Sequence, residues 1–424
     1  MIRKIATGRF GRTVLTCCLA TAALLAAGGC KERRTPDKAS ENLQSSDGKP
    51  AQRDADGRRA APTGRTIAFR HARLLRVVRC DSFVRVDVAD AWHDDRLMQT
   101  YLLVPREQRL PAGLPRGVVV RTPVVRGVAF ATVHAALVAD ELQAGDKLAG
   151  VTDGAYIAEG KLRRRLASGA WRDFGRALRP DIEALRAAGV DALLVSPFEN
   201  SSHGGLGAAG APIVACADYM ERTPLGRAEW VRFYGLLFGC EARADSLFAA
   251  VERRYAATKR RAATARRRPR VAIDLPASPD VWYTPGGASA MGRLLADAGA
   301  DYAFADEPGA GGVALPYERG LAAVAAADVW LMRYARKADY TRATLAADYP
   351  RLVAAAERRG TALWACNTLR VPFFEATPFR PDLLLDELTG LFHPELKIRH
   401  KPLYFSRITL NERVSPKAAK LTHC

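Results

Sequence analysis

Cys30 stands where its own thiol can be modified. It follows Leu25-Ala26-Ala27-Gly28-Gly29, a run of small residues at the end of an apolar stretch from Val14 to Ala27. Arg3, Lys4, Arg9 and Arg12 make the segment before that stretch positive. A positive start, a short apolar core and small residues before a cysteine form a bacterial secretory signal of the lipoprotein type. The expectation is export, cleavage before Cys30 and a lipid on its sulfur. Residues 1–29 are then the signal peptide. Lys31 to about Thr63 is rich in Arg, Asp, Ser, Gly, Pro and Ala, and cannot bury enough surface to offset its ordering entropy. Residues 30–63 read as a flexible tether.

The other reactive side chains are scattered. There is no GxSxG, P-loop or HExxH, and no pair of carboxylates is marked for glycoside hydrolysis. No two of the seven histidines have ligand spacing such as HxxxH, and no CxxC occurs. The sequence therefore points to no intrinsic metal or cofactor and to no enzyme. Beyond Cys30 the chain has Cys80, Cys216, Cys240, Cys366 and Cys424. An oxidising compartment permits disulfides, and proximity favours Cys216 with Cys240 as the pair. The net charge is +19, with arginine outnumbering lysine about four to one. Such a balance draws anionic ligands or the membrane surface. The one dense run, Lys259 to Arg270, lacks interleaved aromatic platforms, so nucleic acid is not expected as a partner.

Several elements must position whatever chemistry remains. Thr66–Arg79, Phe83–Ala89 and Met98–Val104 alternate apolar and polar residues and predict antiparallel strands, giving a β extension over 64–110. From Arg116 short buried strands alternate with helices, such as Asp191–Val195 after Pro180–Ala188, which predicts an α/β lobe over 111–224. Leu225 to Arg267 is helical in pattern, with Trp230, Phe233, Tyr234 and Leu237 on one face and a second run after Gly239, making 225–268 a long linking helix region. Strands at Arg270–Asp274, Val329–Met332 and Ala362–Cys366 alternate with helices in a second α/β lobe over 269–410, followed by a tail over 411–424. The expected fold class is α/β: two parallel-sheet lobes joined by a long helix, with an N-terminal antiparallel β extension.

Five stretches in this order carry a family likeness. They are Gly175 with Pro180-Asp181-Ile182-Glu183 and Gly189-Val190-Asp191; Thr223-Pro224-Leu225-Gly226-Arg227 leading to Tyr234-Gly235-Leu236-Leu237-Phe238-Gly239; Pro285-Gly286-Gly287 to Ala298-Gly299-Ala300; Tyr317-Glu318 before Ala327-Asp328-Val329; and Pro381-Asp382-Leu383 with His393-Pro394-Glu395. In them the chain resembles the helix-linked (class III) substrate-binding proteins of ABC importers that serve ferric siderophores, haem and vitamin B12. Gly189-Val190-Asp191 departs from the Pro-Asp usual in that family.

The resemblance implies that a ferric siderophore, haem or cobalamin-like ligand is captured between the lobes. It would then be delivered to a dimeric ABC permease with its ATPase subunits. It implies that Glu183 and Glu318, one on the outer surface of each lobe, dock onto permease arginines. Ligands of such sheets lie at the C-terminal ends of strands. There the candidate ligand-binding residues are Tyr156, Trp171, Arg172 and His203 in the first lobe, and Tyr283, Arg333 and Tyr334 in the second. Thr132–His134, Pro197-Phe198, Trp282 and Asn367 belong to the same candidate segments. Aromatic rings can stack on a flat macrocycle, arginine can pair with an anionic chelate, and His203 could ligate haem iron axially. The partners expected are the permease, its ATPases, the small ligand and the membrane. Two other readings use the same scaffold: an extracytoplasmic enzyme or metal chaperone, and an interaction lipoprotein acting through its β extension.

Overall fold

The computed structural model describes residues 64–93, 96–158, 160–199, 204–398 and 402–409. Cys30, the tether, His203 and the 411–424 tail lie outside them. Among the described residues no helix is long and apolar enough to cross a membrane.

The extension is a five-stranded sheet in sequence order: β1 (Arg65–Ile67), β2 (Leu75–Arg79), β3 (Val84–Ala89), β4 (Leu97–Pro105) and β5 (Val118–Thr122). The first four pair antiparallel. β5 adds parallel to β4, with Leu103 opposite Val120, so the sheet runs past residue 110 and ends at Thr122. The inward residues Val77, Val86, Val88, Tyr101, Leu103 and Val120 share one apolar core with the first lobe. Two buried carboxylates rivet the sheet to that lobe. Glu229 accepts the backbone N–H groups of Arg70, His71 and Ala72 at 3.0, 2.7 and 2.9 Å, and Glu221 accepts those of Arg73 and Leu74 and the Trp230 indole.

The first lobe contains β6 (Gly127–Ala129), β7 (Leu148–Val151), β8 (Arg172–Asp173), a small hairpin of β9 (Gly175–Arg176) and β10 (Arg179–Pro180), β11 (Ala192–Val195) and β12 (Ile213–Ala215). Its sheet is parallel in the order β12-β11-β6-β7-β8. All four residues of β11 are buried, which is why it reads as an unbroken apolar run. Around it lie α1 (Thr132–Ala136), α2 (Lys161–Ala167) and α3 (Ile182–Ala187). The Asp181 side chain caps α3 by accepting the Ala184 N–H at 2.9 Å.

The expected linking region is three helices: α4 (Pro224–Glu229), α5 (Val231–Phe238) and α6 (Glu241–Ala262). Thr223 caps α4, and Gly239 ends α5 at φ +67°, a conformation that costs a glycine little. The 22 residues of α6 span about 33 Å at the helical rise. Its Phe248 and Val251 sit in the first lobe's core and its Tyr255 in the second lobe's, so one rigid rod is buried in both.

The second lobe contains β13 (Arg270–Ile273), β14 (Pro276–Ser278), β15 (Val281–Pro285), β16 (Asp301–Tyr302), β17 (Gly312–Pro316), β18 (Val329–Tyr334), β19 (Ala362–Asn367) and β20 (Ser406–Ile408). The main sheet runs β16-β13-β18-β19-β20, parallel except for β20, and β14-β15-β17 form a separate antiparallel sheet. The helices are α7 (Ala290–Asp297), α8 (Tyr317–Ala326), α9 (Arg342–Asp348), α10 (Pro350–Arg359), α11 (Phe373–Ala376) and α12 (Pro381–Phe392). The turn into α7 is a close backbone crossing: a Cβ on Gly287 would run into the Ala305 carbonyl.

The expected Cys216–Cys240 disulfide is not formed, and all four described cysteines are thiols. Cys216 is buried just beyond β12, with its sulfur toward the Val214 carbonyl. Cys240 precedes α6 and turns its sulfur toward the Phe238 carbonyl. Closeness in sequence did not bring the sulfurs together, because each is held inside its own local turn.

Candidate functional site

The C-terminal ends of the two main sheets face each other. α1, which follows β6, packs on α11, which follows β19. The Glu375 carboxylate of α11 accepts the N–H of Ala158, beyond β7, at 3.1 Å. Arg163 donates to the Ile157 carbonyl at 3.1 Å and so fixes the loop that offers Ala158. Arg380 approaches Glu141 across the same seam at 3.7 Å, and Phe379 meets Tyr234 edge-on. Burial lifts the Glu375 carboxyl above its ordinary value, against the opposing Ala158 hydrogen bond.

On the second lobe's side the strand ends carry one dominant feature. Arg333, near the end of β18, makes two parallel bonds to Asp274 at 2.7 and 2.6 Å. The two side chains are only 15% and 12% exposed. Asp274 follows β13 in a left-handed conformation, φ +74°, a region where Asp is tolerated at some cost. Its N–H is held by Leu331 O and its carbonyl by the Trp330 indole, so neighbouring strand and core fix the turn. The guanidinium lies 5.6 and 5.8 Å from the Phe373 and Phe374 ring centres. Burial opposes its charge, but Asp274 outweighs burial and holds Arg333 protonated above its ordinary range. Phe374 is exposed beside it. This arrangement presents a fixed cation–carboxylate pair flanked by aromatic rings, suited to a polar, partly flat ligand.

The candidate residues separate on inspection. Arg333 is at the strand ends as expected. Tyr334 is buried, its hydroxyl accepting the Tyr340 N–H at 3.0 Å, so it braces the loop after β18. Trp171 is 2% exposed and its indole donates to Gly145 O at 2.8 Å: it is core rather than a ligand surface. Trp171 was expected among the ligand contacts, but its ring is packed in the first lobe's apolar core. Arg172 is exposed at the start of β8, its guanidinium 5.5 Å from the Phe174 ring centre and 4.0 Å from Asp181. Tyr156 is half-buried in the loop after β7. Tyr283 lies half-buried in β15, where Gly312 leaves room for its ring. Trp282 is wholly buried against Gly320. His134 is buried too, Nε2 2.8 Å from Asp218, which Arg227 holds from the other side. Burial raises the Asp218 carboxyl, but His134 and then Arg227 outweigh it and keep it below its ordinary value. Asn367 ends β19 buried, bonded to Arg336 O and Asp339. His203 lies outside the described residues.

Asp274, Phe374 and Glu375 were missed. The available signal was an aspartate closing a buried strand at Ile273-Asp274 and two adjacent phenylalanines at Phe373-Phe374 after a strand. Among the described residues no group of three His, Cys, Asp or Glu side chains is placed to hold a metal ion.

Glu183 and Glu318 open α3 and α8 and stand out on the surface, 85% and 67% exposed. Neither is idle. Glu183 is 3.7 Å from Arg186, and Glu318 makes a two-pronged pair with Arg351 at 3.1 and 3.2 Å.

Two α/β lobes on one helical rod, with opposed strand ends, define a two-lobed binding-protein architecture. A family profile described as periplasmic binding protein matches residues 131–347, just over half of the chain, and the chain belongs to that family of binding proteins rather than to a family of enzymes. Among solved structures it is similar to a periplasmic haem-binding protein from Pseudomonas aeruginosa: 18% identity over 67% of this chain and 98% of that one, TM-score 0.52. That likeness is one of fold. Also similar are a ferric-hydroxamate ABC-type transport protein from Saccharomonospora viridis (20% identity, 64% and 93% covered, TM-score 0.47) and a ferric-Desferal-bound siderophore-binding protein from Vibrio cholerae (17%, 63% and 99%, TM-score 0.48). No curated protein matches the chain.

Proposed function

We propose that this chain is the exported, lipid-anchored substrate-binding component of an ABC importer. It takes a metal chelate between its lobes, of the ferric siderophore, haem or corrinoid class. The observation that carries the reading is the opposition of the two sheets' C-terminal ends, with the Arg333–Asp274 pair and the Phe374 ring on one side of the seam. A helix buried in both lobes limits their relative movement to a small hinge, so the site is largely preformed. Cys30 carries the anchor, residues 30–63 the tether. Delivery is docking of Glu183 and Glu318 onto permease arginines. An exposed ion pair is worth about 0–1 kcal/mol, so a permease arginine can displace Arg351 from Glu318 at little cost.

The test is a titration of the protein with Cys30→Ser, which carries no lipid. Haemin, cyanocobalamin and a panel of ferric siderophores are followed by tryptophan quenching and thermal shift. One compound is expected to bind saturably with a Kd of about 1 μM or tighter, near −8 kcal/mol. Glu183→Ala with Glu318→Ala should leave that affinity unchanged and abolish uptake by reconstituted permease. A folded protein silent to the whole panel would overturn the reading.

A further inference from the structure

The ribbon between β1 and β2, residues 68–74, lies across all three linking helices. At α4, Glu229 accepts the N–H groups of Arg70, His71 and Ala72, and Glu221, in the turn before α4, accepts those of Arg73 and Leu74. Gly226 lets the ribbon come this close: a Cβ there would lie 2.9 Å from the His71 carbonyl oxygen. At α5, Arg232 donates to the Ala68 carbonyl at 2.6 Å and lies 4.7 Å from the Phe69 ring centre. At α6, Glu252 meets Arg70 at 2.7 Å and His71 Nε2 at 2.8 Å, and the His71 ring meets Phe248 edge-on. Arg79, closing β2, pairs with Glu241 at the start of α6. The family profile begins at residue 131, so the ribbon is an addition to the matched residues.

The second lobe takes hold of the same rod within one turn of Glu252. Arg254 pairs with Asp382 at 3.1 Å, the Tyr255 hydroxyl donates to Asp297 at 2.8 Å, and Lys259 pairs with Asp297 at 2.8 Å. α4 packs on α7 and α12 of the second lobe, and Leu225 touches both apolar cores. The linking helices are therefore the joint between the lobes. A joint moves when a few residues absorb the change in backbone angles while their neighbours stay rigid. Clamping α4, α5 and α6 as far as Glu252 to the first lobe takes that freedom from every residue before the handover to Arg254. The inner ties leave little slack, because two buried carboxylates close five successive N–H groups. The outer ties lie at the surface, with Arg70 68% exposed, so they can be cut without opening a core.

We propose that residues 68–74 are a strap that sets the hinge: they bind the linking helices to the first lobe and hold the two lobes within a narrow range of separations. The inference rests on the seam opening by lobe movement, as the proposed function has it, and concerns the regulation of that site rather than the compound it takes. Its test uses no ligand, so silence across the ligand panel and failure of the strap are separate results. The Cys30→Ser protein carries p-acetylphenylalanine in place of Glu183 and Glu318, on the outer surfaces of the two lobes, and both positions take a nitroxide without reaction at the native thiols. Pulsed electron paramagnetic resonance then gives the distribution of distances between the labels. Arg70→Ala with His71→Ala removes the outer ties, and Glu252→Gln weakens the same ties from the side of the rod. Both are expected to broaden the distribution while the melting temperature stays close to the parent's. Arg342→Ala, which breaks a surface pair with Glu357 in the second lobe, should leave it unchanged. Glu252→Gln decides alone if the double variant misfolds. A distribution unchanged in the strap variants, or broadened equally by Arg342→Ala, overturns the proposal.

Discussion

Replacing Asp274 by Asn tests whether the Arg333 pair is the electrostatic centre of the second lobe. Asn keeps the size and tolerates the φ of +74°, so the backbone penalty is small. The change removes one charge and one of two acceptors, leaving a guanidinium 15% exposed without its counter-ion. Two unit charges about 4 Å apart attract by about 4 kcal/mol at an effective dielectric of about 20. Breaking a buried pair costs about 3–5 kcal/mol, and partial exposure puts this one near about 3 kcal/mol. At about 2–4 °C per kcal/mol, the melting temperature should fall by about 6–12 °C. Arg333→Met combined with Asp274→Asn should recover part of that loss, since removing both charges leaves none stranded. The assay is thermal unfolding of the four proteins in one double-mutant cycle. A drop of less than about 1 kcal/mol for Asp274→Asn, or strict additivity in the cycle, would refute the reasoning.

Glu229→Ala strands three backbone N–H groups and should cost about 3 kcal/mol or more, with hydrogen exchange at residues 70–72 rising first. Glu375 has a folded-state pKa raised by burial, so the folded protein holds the extra proton. Its contribution therefore falls as pH climbs from the ordinary carboxylate range through the raised value, and Glu375→Gln should flatten that slope in melting temperature against pH. Asp218 is the opposite case: its depressed pKa contributes stability above the ordinary carboxylate range that is lost as pH falls through the folded value. Asp218→Asn should thus remove part of the acid-side decline in the same scan. Gly287→Ala should destabilise the second lobe by about 1–3 kcal/mol, measured by chemical denaturation, because backbone rather than a movable side chain blocks the new Cβ.

Much of the architecture was legible in the chain because burial writes itself as pattern. The fully buried β11, the alternating β3 and the two helical runs broken at Gly239 appear where the residue periods place them, whereas the single strand expected over Thr66–Arg79 is two, β1 and β2, folded back on each other so that the ribbon between them can meet Glu221 and Glu229. Glu183 and Glu318 stood out through their family context and do lie on outer first turns. The ligand side was far less legible. Trp171 and Tyr334 have the chemistry of ligand contacts, yet both are spent on packing. Whether an aromatic ring faces a seam or a core depends on the direction a turn sends it, and no local pattern encodes that direction.

The sequence by itself determined the two-lobe α/β plan, the linking rod and the small-residue run before Cys30, since each depends on neighbours a few positions apart. Only the tertiary structure decided that Arg333 meets Asp274 from 59 residues away, that Glu375 ties one lobe to the other, and that Glu221 and Glu229 fasten the extension from about 150 residues distant. It also kept Cys216 and Cys240 apart. These contacts join segments whose separation along the chain is arbitrary. They exist only because packing the apolar cores brings particular strand ends together, and a polar group carried there must then find a partner or bear the cost of burial.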